Sequence, residues 1–198
     1  MDSMKYIKNY LSESIDTKSR ILADENLLER LRQLTDLVTK QYRLGHKILI
    51  AGNGGSAADA QHIAAEFVSR FFFDRPGLPA LALTTDTSML TAIGNDYGFE
   101  NIFSRQIEAQ GVKGDVFLGI TTSGNSKNVL KAMEAAKQKG IITVAFCGES
   151  GEIIDIADIV INVPSTSTPY IQECHICLAH ILCALVEENI FGEVRQSV

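Results

Sequence analysis

Five short apolar runs recur along the chain: ILIA (48–51), ALAL (80–83), VFLGI (116–120), ITVAF (142–146) and IVINV (159–163). Stretches of helical periodicity or loop separate each from the next. Runs of this length without polar alternation suit strands buried on both faces, and such strands joined by helices form parallel β-α-β units. Because those crossovers are right-handed, the expected fold is α/β: a three-layer α-β-α sandwich around a five-stranded parallel sheet.

Helices are expected at about 57–72, 88–93, 102–109, 127–139 and 152–157, with a last one from Pro169 to about Phe191. The core stripe of that last helix reads as Ile171, Cys174, Leu178, Ile181 and Leu185. Ahead of the first strand, residues 4–42 contain no Gly or Pro. Two amphipathic helices fit there, with a break near Ala23–Asn26. Residues 45–198 look complete as a single α/β domain, so 1–44 reads as a helical extension that packs in an oligomer.

Net charge is −6 and the sequence pI is about 5.2, which argues against a nucleic-acid-binding surface as the main role. No run approaches 18 uninterrupted apolar residues, so no membrane span is expected. The N-terminus, MDSMKYIKNYLSES, lacks the apolar segment of a signal peptide, and a cytosolic protein is expected. Cys174 and Cys177 have Cys-x-x-Cys spacing, but they fall in a helical apolar pattern with no second pair; buried core thiols are the expectation.

Two polar loops stand where strands should end. TTSGNS (121–126) follows the third strand and precedes a helix. A helix N-terminus has unpaired N–H groups and partial positive charge, so with hydroxyls around it the loop can seat an anion. Ser126 or Asn125 alone would suffice for an ordinary cap. GNGGSA (52–57) follows the first strand and formally fits the dinucleotide pattern G-x-G-x-x-A, with Asp86 as the acid that would hold a ribose. A second polar loop on another strand argues instead for a small hydroxylated, phosphorylated ligand, with Asn53, Gly54, Gly55 and Ser56 at its hydroxyls or carbonyl. No nucleotide cofactor is expected.

His62 and Glu66 share one helix face at i, i+4. They suit a divalent metal, proton transfer by Glu66, or a plain surface pair. On the last helix Gln172 and His180 lie eight residues apart, so a common face is possible, and His175 between them reads as structural.

In order, AGNGGSAADAQHIAAE, AIGNDYGFENIFSRQ, GDVFLGITTSGNSKNV and YIQECHICLAH resemble the sugar isomerase (SIS) domain family and, within it, the phosphoheptose isomerases, over nearly the whole chain. The resemblance implies conversion of sedoheptulose 7-phosphate to D-glycero-D-manno-heptose 7-phosphate, the first step towards the activated heptose of bacterial surface polysaccharide. It implies a homotetramer with active sites between subunits. It also implies Thr121, Thr122, Ser123 and Ser126 at the phosphate, and Asn53, Gly54, Gly55, Asn95 and Asp96 at the sugar. His62, Glu66, Gln172 and His180 match the family's zinc positions, and Glu66 and His180 its acid/base pair. An aldose–ketose isomerase moves a proton between neighbouring carbons through an enediol, with Glu66 acting at carbon and His180 at oxygen. The chain departs from the family at Ala57 and Ala58. It also departs at Pro169 and Tyr170, where relatives often carry an acidic or small residue and then Arg; Arg70 or Arg105 could compensate. The alternatives are a sensor or isomerase of another sugar phosphate, or a non-catalytic SIS-fold protein that binds the replication initiator DnaA; that protein lacks the acid and base found here.

Overall fold

Asp24 divides the N-terminal segment into two helices. Its N–H closes α1 (Ser3–Ala23) on Ile21 O at 3.1 Å, and its carboxylate accepts from Leu27 N at 3.0 Å to open α2 (Glu25–Arg43). One short acidic side chain thus ends one helix and caps the next. The computed structural model describes residues 2–195.

The five apolar runs are strands: β1 (Ile48–Gly52), β2 (Ala80–Ala82), β3 (Val116–Thr121), β4 (Ile142–Cys147) and β5 (Ile159–Asn162). They form one parallel sheet in the order β2-β1-β3-β4-β5. β1 and β3 are buried at every position, and their residues alternate between two cores. Ile48, Ile50, Val116 and Leu118 pack with α2, α3 (Gly55–Val68) and α8 (Thr168–Arg195). Leu49, Ala51, Phe117 and Ala145 pack on the other side with α5 (Ser104–Gln110) and α6 (Lys127–Gln138). The short α4 (Thr87–Tyr97) and α7 (Ile153–Ile156) join that second layer through Leu90, Ile93 and Ile153. The expected α-β-α sandwich is therefore present.

The strand order reverses between β1 and β3, with Gly52 registered against Ile120. The loops β1–α3 and β3–α6 therefore leave neighbouring strands at the carboxyl edge, where open α/β sheets collect ligands.

α3 stops at Val68, short of the expected Phe72. The N–H groups of Phe71 and Phe72 bond the Glu187 carboxylate at 2.8 and 2.7 Å in place of helix carbonyls. The core stripe of α8 also differs from expectation. Ile171, Cys174 and Leu178 are buried, but Ile181 and Leu185 are 41% and 42% exposed, and Leu182 and Val186 take their place. From Cys174 the buried positions advance four residues at a time, so the contact with α2 and α3 drifts around the helix relative to a strict 3.5-residue repeat.

By length and composition alone α8 could cross a membrane, with a mean hydropathy of 1.4 in an 18-residue window of Thr168–Glu193. One side of it packs inside the protein, against α1, α2, α3 and β4. The two N-terminal helices behave differently. Leu27, Leu31, Leu34 and Val38 of α2 are core residues, each contributing about 1.5–3 kcal/mol by burial. On α1, Ile7, Leu11, Ile15 and Leu22 are 50–72% exposed.

Candidate active site

The β3–α6 loop turns at Gly124, whose φ of +69° belongs to the left-handed region, and a Cβ there would run into Ser150 O. Ser126 is the N-cap of α6 but makes no side-chain capping bond; its hydroxyl meets Thr121 Oγ1 at 2.9 Å. Asn125 Oδ1 accepts from Glu152 N (2.9 Å), and Ser123 Oγ accepts from Asn125 N (3.2 Å). Thr122 is half-buried, and its carbonyl accepts from Gly148 N at 3.2 Å. Neither residue that could have been an ordinary cap acts as one. The hydroxyls of Thr121, Ser123 and Ser126 cluster beside the first turn of α6, as an anion seat requires.

The β1–α3 loop lies next to it. Asn53 and Asn128 exchange both amide hydrogen bonds, Asn53 Nδ2 to Asn128 Oδ1 at 2.9 Å and Asn128 Nδ2 to Asn53 Oδ1 at 2.8 Å. Asn128 is 2% exposed and sits in the first turn of α6. The pair locks the two loops together and leaves each amide one further donor; Asn53 Oδ1 keeps a lone pair, whereas Asn128 Oδ1 also accepts from Val129 N at 3.0 Å. Gly54 is the N-cap of α3, without a side-chain cap. Gly55 is close-packed, since a Cβ built on it would lie 2.5 Å from Gln172 Nε2. That approach brings α8 to the loop. Ser56 is only 3% exposed.

Two turns along α3, His62 and Glu66 meet His180 of α8. His62 Nε2 is 3.0 Å from Glu66 Oε1 and 3.4 Å from His180 Nε2, and a ligand atom from each of the three residues lies within 4.8 Å of the others. The His62 and His180 rings stand edge-on with centroids 5.0 Å apart, and Phe71 covers His180 at 5.5 Å. Two imidazole nitrogens and a carboxylate oxygen converging in this way suit zinc, whereas the Gln172 amide of α8 lies against Gly55 at the start of α3.

Asn95 and Asp96 lie elsewhere, exposed on the last turn of α4, where Asn95 Nδ2 donates to Asp96 Oδ1 at 2.7 Å. Among the described hydrogen bonds neither reaches Asn53 or Glu66. Tyr170 does not face the loops: it stacks on Tyr10 of α1 (4.9 Å), and burial with a bond to Glu13 pushes its hydroxyl up to about 12. Arg105 lies over the Tyr97 ring (4.2 Å) and pairs with Glu108. His175 is buried and bonds Cys147 O (3.1 Å), the structural role expected of it. Cys147, Cys174 and Cys183 are buried free thiols, whereas Cys177 is exposed.

Sequence reasoning missed two residues here. Asn128 gave no signal, because its partner lies 75 residues away. Asp59, one turn before His62, has a carboxyl raised by burial against the opposing pull of His62 and His180, and its Oδ2 is buried without a partner. The i, i+3 spacing from Asp59 to His62 was a readable signal.

Residues 9–148 match the model of the SIS domain. The chain is 61% identical over 189 residues to phosphoheptose isomerase 2 of Campylobacter jejuni, covering 95% of this chain and 94% of that protein. It is 61% identical over 194 residues to phosphoheptose isomerase of Aneurinibacillus thermoaerophilus, covering 98% of each. The solved phosphoheptose isomerase GmhA of Neisseria gonorrhoeae superposes with a TM-score of 0.87 at 43% identity, covering 93% of this chain and 98% of that one. With matches of this extent, the chain belongs to the SIS domain family and, within it, to the phosphoheptose isomerases.

Proposed function

We propose that this protein is an isomerase that interconverts sedoheptulose 7-phosphate and D-glycero-D-manno-heptose 7-phosphate. The observation that carries the reading is the meeting of Glu66 and His180, from two different helices, with Glu66 on the helix whose leading loop is tied to the α6 N-terminus by the Asn53–Asn128 pair. The phosphate sits on the first-turn N–H groups of α6 and the hydroxyls of Thr121, Thr122, Ser123 and Ser126, where the helix dipole favours negative charge. The Asn53–Asn128 pair holds the sugar loop in register with that seat. Asn53, Gly54, Gly55 and Ser56 position the sugar chain through backbone and amide groups. Glu66 takes a proton from C1 of the ketose, leaving a C1–C2 enediol, and a proton returns at C2 to give the aldose. In the same passage O1 loses its hydroxyl proton and O2 gains one, with His180 serving the oxygens.

His62, Glu66, Gln172 and His180 would hold a zinc ion, which when bound would polarise the oxygens of the carbonyl and enediol. The exposed α1 face, together with exposed Val68, Phe72, Ile181 and Leu185 near the His–Glu cluster, supports a homotetramer that completes the site between subunits. In such an assembly Asn95 and Asp96 would contact a neighbour's sugar. The cytosol is the proposed compartment, and the product would feed heptose activation for a surface polysaccharide. The DnaA-binding alternative is not favoured, because relatives at 61% identity are named isomerases.

The test is turnover of sedoheptulose 7-phosphate by the purified full chain, with and without added zinc. Glu66→Gln and His180→Gln should each lower kcat by at least about a hundredfold. Full turnover in both variants would remove the acid/base assignment, and no turnover by the unaltered protein would remove the function.

A further inference from the structure

Arg75 and Glu187 form an ion pair at 3.0 Å (Nε to Oε1), with side chains only 2% and 1% exposed. Two charges so deeply buried are tolerated only when their hydrogen-bonding capacity is filled, and here the remaining bonds run towards the acid/base pair. Arg75 Nη2 donates to Glu66 O at 2.9 Å, and Nη1 donates to Phe67 O at 2.6 Å and Pro76 O at 3.0 Å. The carbonyls of a helix's last turn have no partner within the helix. The guanidinium therefore caps the turn of α3 that carries Glu66.

Glu187 accepts from Phe71 N and Phe72 N, fixing the segment that follows α3, and this seats the Phe71 ring against His180 at 5.5 Å. Glu187 and His180 lie seven residues apart on α8, close to one face of the helix. One buried pair thus fixes Glu66 through its helix turn and His180 through the ring packed on it.

We infer that Arg75 and Glu187 are positioning residues that hold Glu66 and His180 in register across two helices. The inference rests on Glu66 and His180 being the reacting groups, and its structural arm can be read without turnover. Arg75→Lys keeps the charge but has three donors on one atom, too few to hold Glu187 and the carbonyls of Glu66, Phe67 and Pro76 together. It should lower kcat about tenfold with KM changed by less than about twofold, as expected for lost alignment. In the metal-free, substrate-free protein it should also speed amide hydrogen exchange in the last turn of α3 by about tenfold or more, the signature of local fraying. Phe71→Leu keeps apolar bulk but removes the ring. It should lower kcat, move the imidazole NMR signals of His180 at fixed pH, and leave exchange in α3 as it was. Glu187→Gln, which deprives Arg75 of its counter-charge, should combine both defects. Wild-type kcat in Arg75→Lys and Phe71→Leu, or unchanged exchange and unchanged His180 signals, would overturn the inference. An unaltered protein that shows no isomerisation while these two spectroscopic effects appear would sink only the functional reading.

Discussion

His175 lies 1% exposed on α8, and burial pushes its imidazole down to about 4 despite the bond to Cys147 O. The sign of the consequence is fixed. Between pH 6.5 and about 4 the unfolded chain binds a proton that the folded chain refuses, so the stability tied to this ring is full above 6.5 and lost as pH falls. The loss amounts to roughly 3 kcal/mol. Urea midpoints measured across that range should fall, and His175→Leu should flatten the fall; an identical pH dependence in the variant would refute the assignment. Some individual residues were readable from spacing, as with His62 and Glu66 one helical turn apart. Asn128, Arg75 and Glu187 were not, because what gives each its role is a partner 75 to 112 residues away.

At the level of elements, the β3–α6 loop is specified by chemistry that the sequence displays openly. Four hydroxyl residues and a glycine precede a helix, and the structure leaves that helix end uncapped by Ser126. Gly124→Ala forces a side chain into left-handed backbone and against Ser150 O. A strain of about 1–2 kcal/mol corresponds to roughly a 5–30-fold loss of affinity if it falls on the bound geometry. Titration with the sugar phosphate should show this as a weaker Kd, and unchanged binding would mean that the loop is no seat for the anion. Asn128→Asp would replace one half of the reciprocal amide pair with an acceptor that cannot donate to Asn53 Oδ1. KM should rise several-fold, and wild-type kinetics would show that the two loops need no such lock. The strands were legible because buried parallel strands leave unbroken apolar runs, whereas their order in the sheet, β2-β1-β3-β4-β5, came from the structure. Helix ends were less so: α3 ends early because a carboxylate 115 residues from Phe72 takes its N–H, and no local pattern announces that.

Across the whole molecule, the layered sandwich followed from the alternation of strands and helices, whereas the partition of the N-terminal region did not. Both helices are amphipathic in sequence, yet α2 buries its stripe in this chain and α1 keeps Leu11 and Ile15 at 55% and 65% exposure. If that face joins subunits, Leu11→Asp with Ile15→Asp should lower the sedimenting mass while helical circular dichroism is kept. An assembly unaffected by both charges would place the interface elsewhere.

The carboxyl edge of the sheet also has a mechanical consequence. The proposed anion seat belongs to α6, in one layer, while Glu66 and His180 come from α3 and α8, in the other. A single small molecule bridging the two acts as a strut between slabs that the strands and the Asn53–Asn128 pair also join. Its occupancy should quieten amide exchange on both sides of the sheet at once, far beyond the handful of groups it touches.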